Sequence, residues 1–231
     1  MPTLHANGLD IGYDVRGAGP PAVLLHGATS SGREDFAAQV PLFSKAFLVH
    51  LPDAWGHATT RWDAASGFQA EWLVDDLVAF VDALGLASFH LVGFSMGAMT
   101  ALQFAVRHSE RLRTLVVIGI TTQREPRASV ARRLMDPDRV DRLDPAWAAE
   151  LSRRHDAVQG EGAWRRLLPA IAADVAAHGG TRADLASLTH PASPADIEET
   201  DLEWLDESAR ARRPLAPPEP TPLPDPPPPR E

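Results

Sequence analysis

Short apolar runs alternate with longer stretches of helical period from the N-terminus to about residue 120. The continuous apolar runs are bounded by polar residues, glycine or proline, and they span residues 22–25, 47–51, 89–92 and 115–118. Strands that are apolar on both faces are typical of a parallel sheet covered by helices. A further run, residues 9–15, follows the turn signal Asn7-Gly8 and predicts an antiparallel hairpin strand.

Two helices are predicted between these strands. Residues 71–84 place apolar side chains at helical spacing and stop at Gly85, a suitable left-handed terminator. Residues 96–107 are rich in alanine, leucine and phenylalanine. Strands that alternate with helices predict an α/β fold with a doubly wound, mostly parallel sheet.

The pattern changes after the apolar run 115–118, and it predicts four segments along the chain. Residues 1–122 form the α/β core. Residues 123–180 contain amphipathic stretches without strand runs and predict a helical cap, or lid, over the sheet. Residues 181–213 form an atypical C-terminal segment with one helix. Residues 214–231 include ten prolines in eighteen positions and predict a disordered tail.

Composition narrows the possible partners. The formal net charge of −9 argues against a nucleic-acid surface, which needs a basic face. The chain has no cysteine, so disulfides and thiolate metal sites are excluded. No signal peptide is visible, and the longest apolar runs are too short to span a bilayer. We therefore expect a cytoplasmic protein with a small-molecule substrate and no membrane partner; the oligomeric state stays open.

Gly93-Phe94-Ser95-Met96-Gly97 is the sequence of a nucleophile elbow. A serine hydroxyl is a weak nucleophile until its oxygen is exposed and its proton has an acceptor. The elbow exposes the serine on a sharp turn from strand to helix, and small residues at Gly93 and Gly97 let the backbone close. A strand is predicted before the motif and a helix after it, so Ser95 is the predicted nucleophile. The alternative is a glycine-rich turn with a surface serine.

His26-Gly27-Ala28 directly follows the strand 22–25. Acyl transfer develops negative charge on a carbonyl oxygen, and fixed backbone N–H groups stabilise it. The expected donors are the N–H of Met96 and one N–H of this loop, which we assign to Ala28. We expect His26 and Gly27 to be structural, with His26 bracing the loop through hydrogen bonds.

The order of these motifs resembles the α/β-hydrolase superfamily. Leu24-Leu25-His26-Gly27, then Asp53-Ala54-Trp55-Gly56-His57, then the elbow occur with the order and spacing of small esterases, lipases and haloperoxidase-like serine hydrolases. The resemblance covers roughly residues 8–190. Ala58 departs from it, since glycine often follows Gly-His in that family. His57 precedes the serine, so the resemblance implies a loop residue there and not the catalytic base.

The resemblance also implies a triad acid after a seventh strand and a catalytic histidine after an eighth, but neither motif follows Ser95. The histidines after it, in the nucleophile helix, the cap and the C-terminal segment, are His108, His155, His178 and His190. The triad acid and histidine are therefore unknown, and the last two strands are predicted to be missing. Our hypothesis is that the reading frame is altered near Pro191, which translation in the other two frames would test.

Three functional hypotheses follow from these residues. The first is a serine hydrolase that cleaves an ester or related acyl bond of a small to medium apolar substrate through an acyl-enzyme at Ser95. The alternative is a truncated or frame-shifted remnant, catalytically impaired and at most a binding module. A weaker one takes the proline tail as an SH3 or WW ligand. We expect no cofactor and no metal, since no dinucleotide fingerprint or ligand spacing occurs.

Overall fold

A computed structural model describes residues 1–120, 135–177 and 188 of the 231-residue chain. The described residues all belong to one compact unit, Met1–Thr189. The strands are β1 (Thr3–Ala6), β2 (Leu9–Arg16), β3 (Pro21–Leu25), β4 (Leu48–Pro52), β5 (Phe89–Phe94) and β6 (Leu112–Ile118). The α-helices are α1 (Gly32–Asp35), α2 (Val40–Phe43), α3 (Ala70–Ala83), α4 (Met96–His108), α5 (Pro137–Leu143), α6 (Pro145–Gln159) and α7 (Ala163–Ala177).

The six strands form one sheet in the order β1-β2-β4-β3-β5-β6. β2 is antiparallel to β1 and to β4, whereas β4, β3, β5 and β6 run parallel. The turn between β1 and β2 has positive φ at both central residues, Asn7 and Gly8, as the Asn-Gly signal predicts. The predicted α/β fold with a mostly parallel sheet is confirmed. The short helices α1 and α2 have no counterpart in the sequence prediction.

Apolar cores cover both faces of the sheet because consecutive residues of β3 point to opposite sides. Val23 and Leu25 pack with α3 and α4 residues such as Phe80 and Phe104. Ala22 and Leu24 pack on the other face with a smaller group that includes Phe36. This double coverage is the physical reason for the continuous apolar runs in the sequence.

The described part of the predicted cap consists of α5, α6 and α7. Asp136 and Asp144 cap α5 and α6 by accepting backbone N–H bonds, and a proline follows each of them at the first helical position. The three helices share a third apolar cluster with residues of the core, among them Trp55 and Phe68. Both ends of the predicted cap, the atypical C-terminal segment, the proline tail and the question of missing strands lie outside the described residues.

Candidate active site

Ser95 occupies a sharp turn between β5 and α4. Its backbone has φ 52° and ψ −111°, a conformation that residues with a Cβ seldom adopt. The N–H of Ser95 donates to the carbonyl oxygen of Ile118 (2.8 Å), and the N–H of Gly97 donates to that of His26 (3.0 Å). The turn is therefore tied to the two strands that flank β5.

Gly93 and Gly97 make this turn possible because no side chain fits at either position. A Cβ on Gly93 would lie 2.3 Å from the carbonyl oxygen of Gly97, and one on Gly97 would lie 2.2 Å from that of Leu25. On the other side of the serine, a Cβ on Gly27 would lie 3.3 Å from the Cβ of Ser95. The loop after β3 thus passes directly beside the predicted nucleophile.

The Ser95 side chain is partly exposed, and its hydroxyl makes no hydrogen bond within the described ranges. The backbone N–H groups of Met96 and Ala28 likewise have no acceptor in the part of the chain that the structure describes. Met96 is the first residue of α4, where an N–H has no partner within its helix. The turn therefore combines a hydroxyl and two backbone donors that are available to a bound group.

His26 holds the loop after β3, which we define as residues 26–31. Its Nδ1 lies 2.7 Å from the carbonyl oxygen of Gly27, and its Nε2 accepts the N–H of Ala54 (2.8 Å). These contacts use both ring nitrogens and correspond to the neutral Nδ1–H tautomer. With the side chain almost completely buried, His26 links the loop after β3 to the loop after β4.

Two carboxylates complete the bracing of the loop after β3. Asp35 accepts the Gly27 N–H (2.8 Å) and the Ser30 hydroxyl (2.7 Å). Asp53 accepts the Gly32 N–H (3.1 Å) and the Thr59 hydroxyl (2.5 Å). Each carboxylate therefore accepts from a backbone N–H and a hydroxyl group, and neither has a described contact with Ser95.

His57 and His155 extend a row of buried imidazoles that begins at His26. The ring centroids of His26 and His57 lie 5.2 Å apart, and those of His57 and His155 lie 5.6 Å apart. Burial lowers the pKa of His155 to about 4, and it holds the pKa of His57 well below its usual value, with smaller contributions from the other two histidines. The lowered pKa values suit His57 and His155 to neutral, structural hydrogen bonding at neutral pH.

A cavity of about 50 Å³ lies behind Met96 and Gly97, and we call it the Asp76 cavity. Its walls are mainly apolar, but the buried carboxyl group of Asp76 faces it together with Thr100. Asp76 Oδ1 accepts the side-chain N–H of Asn7 (2.8 Å), whereas Oδ2 has no partner among the described residues. Burial raises the pKa of Asp76 to about 6.

The described residues after Ser95 place no histidine or carboxylate in contact with its hydroxyl. His108 packs its ring against Phe104 near the end of α4 (centroids 5.1 Å apart). His155 has both ring nitrogens engaged with backbone groups. His178, His190 and the acidic residues near 200 lie outside the described residues, so the triad acid and base stay unassigned.

The described ranges contain no cluster of three or more histidine, aspartate or glutamate side chains that could hold a metal ion. In the same ranges, no helix has the length and apolarity needed to cross a membrane.

Sequence reasoning leaves out several residues that shape this site. Arg154 and His155 of α6 both reach the loop after β3, and Asp76 reaches the cavity behind the elbow. The double aspartate in the helix 71–84 is visible in the sequence, but only the packing shows which carboxyl group is buried. The contacts of Arg154 and His155 span more than 90 positions and carry no local signal.

A profile of the alpha/beta hydrolase fold family matches residues 20–202. The chain belongs to this family. It is 32% identical over 116 residues to the 2-hydroxymuconate semialdehyde hydrolase of Pseudomonas sp. strain CF600, covering 49% of this chain and 41% of that protein. It is 31% identical over 111 residues to the pimeloyl-[acyl-carrier protein] methyl ester esterase of Aeromonas hydrophila, covering 48% and 42%. The chain thus spans less than half the length of these relatives.

Solved structures agree with this family. Est816, described as an N-acyl homoserine lactone degrading enzyme, is similar with a TM-score of 0.62 and 26% identity, covering 82% of this chain and 78% of that one. The enol-lactonase of Burkholderia xenovorans LB400 has a TM-score of 0.60 at 22% identity, with the same coverage, and supports the fold alone. The resemblance stated from the three motifs is confirmed at the level of family and fold.

Proposed function

We propose that this chain is a serine hydrolase that cleaves an ester or related acyl bond through an acyl-enzyme at Ser95. The observation that carries the proposal is the turn at Ser95. Its strained backbone presents an unbonded hydroxyl beside two N–H groups, of Met96 and Ala28, that have no acceptor among the described residues. A polypeptide retains strain of this kind where the surrounding structure enforces it, commonly at functional sites.

The chemistry follows from these groups. The Ser95 oxygen attacks the carbonyl carbon, the bond to the leaving alcohol breaks, and the acyl group stays on the serine as an ester. Water then attacks this ester and releases the carboxylic acid. In both steps negative charge develops on the carbonyl oxygen, where the N–H groups of Met96 and Ala28 stabilise it. This reaction needs a base that accepts the serine proton, and no described residue contacts the Ser95 hydroxyl in that role.

The apolar cluster of the cap supports a small to medium apolar substrate. Met96 and Ala28 both pack against this cluster, which includes the buried side chains of Leu151, Trp164 and Leu168. Substrate atoms held between Met96 and Ala28 would therefore contact this apolar cluster. Trp164 itself is 2% exposed and packs inside the cap, so its contribution to a substrate surface is indirect.

The relatives fit a hydrolase that acts on an acyl-type bond. The Aeromonas hydrophila relative is named a methyl ester esterase, and the Pseudomonas relative is named a hydrolase of 2-hydroxymuconate semialdehyde. The two names give different substrates, and only the first of them names the bond, an ester. We therefore propose the reaction class from the site of this chain.

A catalytically impaired scaffold is the second candidate. The observation that favours it is the absence of any described histidine or carboxylate contact to the Ser95 hydroxyl. A triad enzyme without its base retains only the rate acceleration of the oxyanion donors and of binding, on the order of 10³- to 10⁴-fold over water.

Hydrolysis of p-nitrophenyl butyrate by the full chain tests the proposed function. We expect turnover whose kcat/KM falls by about 10³-fold or more in Ser95→Ala, because the acyl-enzyme can no longer form. Ser66→Ala is the matched control, since Ser66 is exposed and bonds only Asp63, and it should stay within about two-fold of the wild type. Turnover that Ser95→Ala leaves intact would refute the proposal, and absence of turnover in the wild type would favour the impaired scaffold.

A further inference from the structure

Thr29, in the loop after β3, has a backbone that its own side chain disfavours. Its φ is 68°, and a β-branched residue in this left-handed region requires external support. Thr29 directly follows Ala28, the proposed second oxyanion donor. Whatever holds the Thr29 backbone therefore also determines where the Ala28 N–H points.

Two adjacent side chains of the cap helix α6 supply this support. Arg154 Nη1 and His155 Nε2 both donate to the carbonyl oxygen of Thr29, the latter at 3.3 Å. His155 Nδ1 accepts the N–H of Ala58 (3.0 Å), which requires the proton on Nε2 and so makes Nε2 the donor toward Thr29. The imidazole thus bridges the loops after β3 and β4.

Arg154 is itself fixed by carboxylates on both sides of the contact. Its guanidinium pairs with Glu34 of α1, in the core, and with Glu150 of α6, in the cap. The arginine side chain is only 12% exposed, whereas Glu34 and Glu150 are 31% and 42% exposed, so the guanidinium is held mainly by position and the carboxylates stay in contact with solvent. The Thr29 carbonyl therefore meets donors whose positions are set before a substrate binds.

The Ala28 peptide lies between two anchored points. On the N-terminal side, the Gly27 N–H is held by Asp35; on the C-terminal side, the Thr29 carbonyl is held by Arg154 and His155. The Gly27 carbonyl, which shares a peptide unit with the Ala28 N–H, also accepts from His26 Nδ1 (2.7 Å). Losing the C-terminal anchor would let the strained Thr29 backbone relax and leave the direction of the Ala28 N–H to the contacts of Gly27 alone.

We propose that Arg154 and His155 are positioning residues through which the cap aims the Ala28 N–H at the oxyanion. This inference rests on the proposed function for its catalytic consequence, whereas the anchoring itself does not. The cap then has a role in the reaction besides covering the substrate. A correctly seated α6 is a condition for a complete oxyanion hole.

Kinetics of His155 variants test the catalytic consequence, with p-nitrophenyl butyrate as substrate. His155→Ala keeps Arg154 on the Thr29 carbonyl and should lower kcat about three- to ten-fold with KM within about three-fold. Combining it with Arg154→Met removes both donors and should lower kcat about 10- to 100-fold, because a misdirected oxyanion donor weakens transition-state binding and not ground-state binding. His155→Gln can donate to Thr29 and accept from Ala58, and it should restore kcat to within about three-fold of the wild type.

Gln159→Ala is the matched control on the same helix. Gln159 also anchors α6 to the loop after β4, through the Thr60 carbonyl, the Trp62 N–H and, at 3.5 Å, the Ala58 carbonyl, but it makes no described contact with residues 26–31. Its substitution should leave kcat within about two-fold. Equal losses of kcat in the Gln159 and His155 variants would overturn the inference, because they would indicate general loosening of the cap.

Amide hydrogen exchange of the folded chain tests whether His155 anchors the loop after β3. This test does not depend on whether the wild type hydrolyses p-nitrophenyl butyrate. His155→Ala should accelerate amide exchange in a peptide covering residues 26–31, and His155→Gln should not. Gln159→Ala should accelerate exchange over residues 58–62 and leave exchange over residues 26–31 unchanged. Unchanged exchange over 26–31 in His155→Ala would overturn the inference, whereas faster exchange there in an inactive wild-type background would leave it standing and reject only the proposed function.

Discussion

Ser95, Thr29 and Ala58 share left-handed backbone, with φ angles of 52°, 68° and 38°. Such a conformation costs a residue with a Cβ roughly 1–2 kcal/mol. The turn at Ser95 is predictable because the elbow carries its own glycines within two positions. The turns at Thr29 and Ala58 are not, because the side chains that support them come from α6, 125 and 97 positions further along the chain. Ala58 holds this conformation where the family often has glycine.

Burial of Asp76 predicts a pH-dependent stability effect. Its pKa is raised from 3.8 to about 6 on folding, so its contribution to stability is present below about pH 4 and is lost as the pH rises through 6. Asp76→Asn removes the ionisable group and keeps an oxygen that accepts from Asn7. At pH 8 the free energy of unfolding of the variant, measured by urea denaturation, should exceed that of the wild type by about 1–3 kcal/mol. This difference should vanish below about pH 4.

Asp75→Asn is the control for this experiment. Asp75 is the preceding residue of α3, and its side chain is 62% exposed. Its substitution should change the free energy of unfolding by less than about 0.5 kcal/mol at both pH values.

The buried histidines change the stability with pH in the opposite sense to Asp76. The lowered pKa of His155 makes stability fall as the pH drops from 6.5 toward 4. The histidine contribution is common to all variants and cancels when the variants are compared. An Asp76→Asn chain less stable than the wild type at pH 8 would contradict the expected cost of the buried Asp76 carboxylate.

At the scale of elements, the sequence predicts β2 to β6 and helices α3 and α4 to within a few positions. Those elements carry their signals locally: apolar runs, helical spacing and a terminating glycine. The cap is predicted only as a helical insertion. Its division into α5, α6 and α7 is also encoded, since Asp-Pro pairs at 136–137 and 144–145 start the first two helices. What no local pattern encodes is the packing of the cap on Trp55 and Phe68.

The close approach of α4 to β3 predicts the effect of a single methyl group. Gly97→Ala would place a Cβ 2.2 Å from the Leu25 carbonyl oxygen, which belongs to the centre of the sheet and cannot move freely. Although alanine favours helices, we expect the free energy of unfolding to fall by about 3 kcal/mol or more. Urea denaturation followed by circular dichroism measures this loss.

Gly85→Ala provides the comparison for steric crowding. Gly85 also has a special backbone, with φ 67°, but a Cβ there would meet nothing within 4 Å. The cost should therefore be the conformational penalty alone, roughly 1–2 kcal/mol. If Gly97→Ala proved as stable as Gly85→Ala, the tight contact between the elbow and β3 would be wrong.

In the molecule as a whole, the site residues that can be predicted from the sequence are those that lie in short local motifs. The elbow, the loop after β3 and the loop after β4 each combine a strand end with a short motif, and a parallel sheet brings strand ends to one edge. The triad acid and histidine are expected much further along the chain, where no motif follows. The described residues therefore supply the proposed nucleophile and the proposed oxyanion donors, and they supply no base in contact with Ser95.

Labelling with a fluorophosphonate probe tests whether Ser95 is an activated nucleophile. The probe forms a bond between phosphorus and an activated serine oxygen and releases fluoride, so it needs no knowledge of the substrate. We expect rapid, saturable labelling of the full chain, located at Ser95 by mass spectrometry. This labelling should be unchanged in Ser66→Ala and abolished in Ser95→Ala. Labelling of Ser95 no faster than that of Ser66, or labelling that survives in Ser95→Ala, would contradict this expectation.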